Sequence, residues 1–252
     1  MNSEENQPET PAAEKAHSPE LSVIVPLYNE EENVEPLQKE IAEVLEGIDY
    51  ELVLVDDGST DETVKRIKMD GRTRLVEFEK NTGQSAAMYA GLHAGKGTYL
   101  ALIDGDLQND PADIPKLLEE VKKGADLACG YRANRKDTRF KKFQCKIANS
   151  IRKRFTKDGV RDTGCSLKVM RRECRHALVP FTGMHRFIPA LIKGAGYELV
   201  EVAVNHRARR TGESKYGGGL KRAFPATRDM FGVRWLLSRK FSYKIKGESE
   251  KD

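Results

Sequence analysis

The chain has 252 residues, 38% of them hydrophobic and 33% charged, with a formal net charge of +4. That apolar content suits a packed globular core and excludes a wholly disordered chain, and no apolar run approaches the roughly eighteen residues a membrane span needs. Acid dominates up to about residue 126, while 132–175 and 207–246 are rich in Lys and Arg. The second half therefore expects an anionic partner, phosphate or a lipid surface, and not nucleic acid, because no helix-turn-helix, zinc-finger or aromatic RNA-binding signature accompanies the basic stretches.

Residues 1–20 are acidic, contain proline and lack an apolar core, so they are expected to form a disordered tail with no secretory signal. Residues 21–26 (LSVIVP) predict a strand, followed by a polar turn, Tyr28-Asn29-Glu30. Over 31–46 apolar residues recur at Val34, Leu37, Ile41, Val44 and Leu45, which is helical spacing, until Gly47 ends the run. The unit repeats: a strand over 51–55, a break at Asp56-Asp57-Gly58-Ser59, and a helix over 61–67. A strand over 74–79 and an Ala-rich helix over 86–94 follow, then a fourth strand over 98–103. Asp110 and Pro111 predict the N-cap and first-turn proline of a helix reaching Lys123, and 127–129 a fifth strand.

Strands and helices alternating at this spacing predict right-handed crossovers and a mostly parallel α/β sheet flanked by helices. Farther on, Phe140, Phe143, Ile147, Ile151 and Phe155 form a helical apolar stripe among basic residues, and 166–170 and 198–204 read as strands. Connections are short throughout, so the expected organisation is a tail over 1–20, a single domain over 21–219, and a basic amphipathic helix with its tail over 220–252. In that last segment Met230 to Leu237 is a short apolar patch next to Arg239 and Lys240; it fits an anionic lipid interface, or packs on the domain or in a homodimer. The four cysteines, Cys129, Cys145, Cys165 and Cys174, have no metal-ribbon or redox spacing and are expected as reduced thiols in a cytoplasmic protein.

The fourth strand ends in LIDGDLQND. Ligands of open α/β sheets bind past the carboxyl ends of the strands, so Asp104 and Asp106 would stand at a binding edge. A hard cation such as Mg²⁺ takes one or two protein carboxylates together with phosphate oxygens and water, and two carboxylates here suit a metal–diphosphate complex. A solvated Asp-Gly turn is the plain alternative. Asp56 and Asp57 end a second strand, where a carboxylate either accepts hydrogen bonds from a ribose or base, or caps the next helix. Neither a G-x-G-x-x-G nor a G-x-x-x-x-G-K-[ST] sequence occurs, so a diphosphate would be neutralised by metal and basic side chains instead of a glycine cradle.

Seven elements in order, VPLYNEEENV, LVLVDDGSTDET, NTGQSAAMYAG, LIDGDLQNDP, GYR at residues 130–132, DTGCSLKVMRR and RRTGESKYGG, resemble the family 2 glycosyltransferases of the GT-A fold. Among these, the likeness is to the dolichyl- and polyprenyl-phosphate sugar transferases. The resemblance implies that Pro26, Tyr28, Glu30, Val55 and Asp57 hold the nucleoside, that Asp104, Gly105 and Asp106 lie against the diphosphate, and that Asp106 and Gln108 ligate Mg²⁺ or Mn²⁺. It implies phosphate contacts from Arg132 and from Arg209 and Lys215 in a glycine-flanked loop, and acceptor-phosphate contacts from Lys146 and Ser150. The implied donor is a GDP- or UDP-linked sugar and the implied acceptor a polyprenyl-phosphate lipid, met at the cytoplasmic membrane face, with a membrane partner subunit or a homodimer as further partners.

A phosphate acceptor is already anionic and needs no general base, whereas a hydroxyl acceptor does; Asp104 and Asp162 are then the candidates. Transfer to a glycan hydroxyl is thus the alternative enzyme reading, and a non-catalytic sugar-nucleotide-binding module a third.

Overall fold

The structure is a computed structural model that describes residues 18–133, 152–156, 158–208 and 219–239, with backbone alone over 219–226. The expected helical stripe from Phe140 to Ile151, including Lys146 and Ser150, and the loop carrying Arg209 and Lys215 lie outside the described residues.

Seven strands form one sheet in the order β3-β2-β1-β4-β6-β5-β7. They are β1 (Leu21–Leu27), β2 (Tyr50–Asp56), β3 (Thr73–Glu77), β4 (Tyr99–Leu102), β5 (Leu127–Arg132), β6 (Lys168–Arg171) and β7 (Leu199–Val204). The described helices are α1 (Val34–Val44), α2 (Thr63–Arg66), α3 (Gln84–Ala94), α4 (Ile114–Lys122), α5 (Ile188–Gly194) and α6 (Gly219–Ser238), with a further helical stretch at 152–156. The strands and helices expected up to residue 129 are present, although α2 is a single turn. Asp110 caps as expected, its carboxylate accepting the Ala112 N–H at 3.0 Å.

The sheet is mostly parallel, as the alternation predicts, with one departure. β6 is antiparallel to both its neighbours, with Leu102 opposite Lys168 on one side and Cys129 opposite Lys168 on the other. It enters between β4 and β5, which simple strand-by-strand crossover would have made adjacent. Periodicity reports that a segment is a strand and not where it inserts, because insertion is decided by contacts remote in sequence.

All seven residues of β2 are buried, and its Leu52-Val53-Leu54-Val55 run is the continuous apolar stretch typical of a parallel strand covered on both faces. On one face Val23, Val25, Leu52 and Leu54 pack beneath α1 and α4; on the other Ile24, Val53, Val55, Leu100 and Leu102 pack beneath α3, α5 and α6. Each such side chain removed from water contributes about 1.5–3 kcal/mol before ordering costs. Cys129, Cys165 and Cys174 are free and buried within these layers, and burial pushes the Cys129 and Cys174 thiols up to about 12, which leaves them inert.

The amino edge of the sheet is closed by Glu51. Its carboxylate accepts the Ser22 hydroxyl at 2.6 Å, the Lys96 N–H at 2.6 Å and the Arg74 guanidinium at 3.1 Å. Burial alone would raise this carboxyl, but those hydrogen bonds and the Arg74 charge outweigh it and hold it below the usual carboxylate value. Polar groups are thus sealed at one edge, and the loops gather at the other.

α3 approaches the sheet closely because Gly91 faces it. A Cβ at Gly91 would lie 3.0 Å from Val55 Cγ2 and closer still to the Ile24 side chain. Gly91→Ala would gain up to about 1 kcal/mol of helix propensity, but overpacking a filled core costs about 1–3 kcal/mol. The expected result is a net loss of about 1–2 kcal/mol in denaturant unfolding; equal or greater stability would show that α3 is free to move off the sheet.

Candidate functional site

Two loops meet where β1 and β2 end, and backbone donors stitch them together. Asn29 N–H donates to Ser59 Oγ at 2.9 Å, Thr60 N–H to Asn29 Oδ1 at 2.8 Å and Glu30 N–H to Thr63 Oγ1 at 2.7 Å. Asn29 adopts φ 53 to do so, and the other left-handed non-glycine residue among those described is Leu107 at φ 59, in the D-G-D-L-Q turn. A branched residue held there stores strain of order 1–3 kcal/mol and persists because its surroundings over-determine it. Both unusual residues flank the same edge, and Gly58 (φ 71) leaves no room there either: a Cβ on it would come within 2.6 Å of the Asn81 backbone.

Asp57 is turned onto the segment before α3. Its two carboxylate oxygens accept Thr82 N–H at 2.6 Å, Gly83 N–H at 2.8 and 3.1 Å, and the Asn81 amide at 3.0 Å. The structure therefore places Asp57 at the carboxyl edge of the sheet with its carboxylate engaged in holding the 81–83 loop. Beside it Asp56 accepts the Ser59 N–H at 2.9 Å through Oδ2, while Oδ1 is buried with no partner. Pro26 near the end of β1 and Tyr28 and Glu30 in the loop after it are half-buried, and Val55 is fully buried in the core.

Gly105 brings the acidic turn against that loop. A Cβ there would lie 2.7 Å from Leu27 Cδ2 and 3.2 Å from the Pro26 carbonyl oxygen, so only glycine allows the approach. On either side of it stand the two carboxylates. Asp104 accepts the Gln84 side-chain amide at 2.8 Å and also bonds to Ser166, which is in turn held by Asn109 at 2.7 Å. Removal from water, ahead of repulsion from the Asp106 carboxylate, pushes the Asp104 carboxyl up to about 6, against the opposing charge of Lys168. Lys168 is itself 3% exposed and donates to the Cys165 carbonyl.

Asp106 accepts the Gln108 backbone N–H at 3.1 Å and its side-chain amide nitrogen at 2.5 Å. With that nitrogen on Asp106, the amide oxygen of Gln108 is left for another partner. A carboxylate and an amide oxygen held side by side are hard donors of the kind Mg²⁺ and Mn²⁺ prefer, so the residues present fit such an ion. Among the described residues no group of three His, Cys, Asp or Glu side chains forms a closed cage. A cation at Asp106 would therefore draw the rest of its shell from phosphate oxygens and water.

Arg132 ends β5, and its guanidinium forks onto Asp162: Nε to Oδ2 at 2.7 Å and Nη2 to Oδ1 at 2.8 Å. The Asp162 carboxylate also accepts the Gly164 N–H at 3.2 Å, and Gly164 leaves room for the guanidinium. Two candidates read separately in the sequence are thus one bidentate unit, of a kind that fixes both side chains.

Several residues at this edge have no individual role assigned by the sequence. Gln84 holds Asp104, and the next residue, Ser85, accepts the Gly183 N–H at 3.0 Å while pairing with His185 Nδ1 at 2.8 Å. Lys168 also went unread, as did His206, whose backbone bridges Asn109. Arg207 donates its backbone N–H to Gln108 O at 2.9 Å and a guanidinium nitrogen to Asp110 at 2.7 Å. The chain thus enters the segment carrying Arg209 and Lys215 from beside Gln108.

Comparison with known proteins identifies the family. Residues 22–178 match the sequence model described as glycosyl transferase family 2. A dodecaprenyl-phosphate galacturonate synthase from Rhizobium johnstonii is 42% identical over 232 residues, covering 88% of this chain and 68% of the relative. An undecaprenyl-phosphate 4-deoxy-4-formamido-L-arabinose transferase from Pseudomonas aeruginosa is 36% identical over 203 residues, covering 78% of this chain and 60% of the relative. In fold, the crystal structure of glucosyl-3-phosphoglycerate synthase from Mycobacterium tuberculosis superposes with a TM-score of 0.65 at 21% identity, covering 87% of this chain and 80% of that one. The order of motifs, the mixed sheet with its acidic edge and the match over most of its length make this chain a member of glycosyl transferase family 2.

Proposed function

We propose that this protein transfers a sugar from a nucleotide-sugar donor to a polyprenyl-phosphate carrier. The observation that carries the reading is the Asp104-Gly105-Asp106 turn at the carboxyl edge of the sheet, pressed against the β1 loop with Gln108 beside it. The names of the relatives from Rhizobium johnstonii and Pseudomonas aeruginosa support a polyprenyl-phosphate acceptor. On this reading the catalytic unit runs over 21–219, between a tail at 1–20 and a basic helix and tail at 220–252. It meets its carrier at the cytoplasmic membrane face, alone, with a membrane partner subunit or as a homodimer.

The donor's base and ribose would lie at the ends of β1 and β2, marked by Pro26 and Val55, and on Tyr28 and Glu30 in the loop after β1, beside the 81–83 segment that Asp57 holds. Asp104 and Gly105 would stand against the diphosphate, and Asp106 and Gln108 would hold Mg²⁺ or Mn²⁺, which supplies charge neutralisation of the leaving diphosphate. Arg209 and Lys215 would add positive charge from the loop that starts beside Gln108, and Lys146 and Ser150 would bind the acceptor phosphate. An acceptor phosphate oxygen attacks the anomeric carbon as the bond to the diphosphate breaks, giving inversion. The enzyme's contribution is alignment and charge placement.

The Arg132–Asp162 fork supports an acceptor that needs no deprotonation, because Asp162's oxygens are already committed to the guanidinium and to Gly164. The alternative is a glycan or other hydroxyl acceptor, for which Asp104, held in the acidic turn by Gln84, would be the base.

The deciding assay supplies Mg²⁺ or Mn²⁺ with a panel of UDP- and GDP-linked sugars, with and without a short-chain polyprenyl phosphate. The expected result is a glycosyl-phospholipid product and donor consumption that depends on the lipid phosphate. Consumption that follows a glycan hydroxyl instead would transfer the assignment to the alternative. Asp106→Ala is expected to lower kcat by about a hundredfold or more, as loss of a preorganised charge-stabilising group does; wild-type turnover in that variant would remove Asp106 from the metal site. Asp162→Asn, which keeps the shape and weakens the fork on Arg132, is expected to lower kcat about tenfold with little change in the melting temperature. A pure stability loss would make the pair structural.

A further inference from the structure

We infer that the outward face of α6 docks on an anionic lipid bilayer and holds the carboxylate edge at the membrane surface. This deepens the proposed function by naming the surface that meets the membrane, and rests on that reading only for the identity of the acceptor. The inner face of α6 is settled: Met230 and Val233 are buried, and Leu236 and Leu237 pack beside them on the sheet layer under α5. Gly194 of α5 leaves the space that the Leu237 side chain fills. The helix is therefore anchored to the protein on one side.

Its other side is also apolar. Phe231 is 54% exposed and Trp235, one turn on, is 64% exposed, the two largest aromatic exposures among the described residues. Phe231 is oriented by an edge contact with Phe155 at 5.1 Å, and Arg234 donates to the Phe155 carbonyl at 3.3 Å. Arg228, Arg234 and Arg239 are exposed around the two rings, and Arg154 is exposed on the neighbouring turn. Between residues 227 and 239 the single acidic residue is Asp229, which is half-buried and turned toward Gly183. Aromatic rings ringed by arginines suit the zone between acyl chains and acidic headgroups, where the rings bury and the guanidinium groups pair with phosphate.

Charge selects the bilayer over a second copy of the chain. A two-fold dimer through this face would set each of its arginines against a face equally rich in arginine, with one half-buried carboxylate to offset them. A spanning role is also inconsistent with the helix, since no helix among the described residues is long and apolar enough to cross a membrane. The face is also close to the chemistry. Asp229 lies against Gly183, whose N–H bonds to Ser85, and Ser85 follows Gln84, the residue that holds Asp104. These contacts link α6 to the turn that carries the carboxylates.

Trp235 is the only tryptophan in the sequence, so its emission reports directly on the face. The full chain is mixed with phosphatidylcholine vesicles that contain or lack phosphatidylglycerol. With phosphatidylglycerol the emission is expected to move to the blue, and the protein to co-sediment, more weakly as salt is raised; vesicles of phosphatidylcholine alone should do neither. Trp235→Ser is expected to weaken co-sedimentation roughly tenfold, the worth of one buried aromatic, with transfer to a water-soluble short-chain polyprenyl phosphate unchanged. Absence of co-sedimentation with acidic vesicles would overturn the proposal. So would a blue shift that appears on concentrating the protein without lipid, together with dimers in the ultracentrifuge. Vesicle binding by a wild-type protein that transfers no sugar would defeat the functional reading and leave the docking surface standing.

Discussion

Asp104 and Asp106 stand one glycine apart, and like charges at that separation repel most where water is excluded. Much of the surrounding structure is intelligible as the means of holding them there. Gln84 at the start of α3, Ser166 beside β6 and the buried Lys168 support the first carboxylate. Gln108 wraps back on the second, with Leu107 forced into the left-handed region to allow it. No such arrangement is favourable for its own sake. On the proposed reading it would become favourable when a divalent cation and a diphosphate complete it, so the acidic edge supports a functional role more than a stabilising one.

The support reaches far into the fold. α3 delivers Gln84 because Gly91 lets the helix lie close on Ile24 and Val55, and the segment before it is held by Asp57. β6 delivers Lys168 because it inserts antiparallel between β4 and β5. The two loops that would cradle a nucleoside are joined by their own backbone donors, so the nucleotide would meet a preformed surface. Preorganisation of this kind moves the cost of ordering from the binding step into folding.

Much of this was legible in the sequence, and the part that was not has a common cause. Strands such as LSVIVP and ELVLV announce themselves because a buried parallel strand is continuously apolar, and the DGD turn is visible because it breaks one. The helical start at Asp110 follows from local capping rules, whereas α3, expected from residue 86, begins two residues earlier at Gln84. The pairing of Arg132 with Asp162, of Ser85 with His185, and of Lys168 with the acidic turn was not visible, since each joins residues brought together only by the sheet order. The single turn of α2 fell short of its expected length because Asp61 and Thr63 are drawn into bonds with one another and with the β1 loop. The family resemblance located the residues of the edge; the contacts give physical reasons for several of them.

The central claim is that Asp106 and Gln108 bind a divalent cation together with a nucleoside diphosphate. It is tested most directly by titrating the protein with Mn²⁺ in the presence and absence of UDP or GDP, and following free Mn²⁺ by electron paramagnetic resonance. The account predicts weak binding of the metal alone and much tighter binding once the diphosphate completes its shell, with both lost in Gln108→Ala and Asp106→Asn. Nucleotide binding of equal strength with metal removed by chelator, or Mn²⁺ binding unaffected by those substitutions, would contradict it.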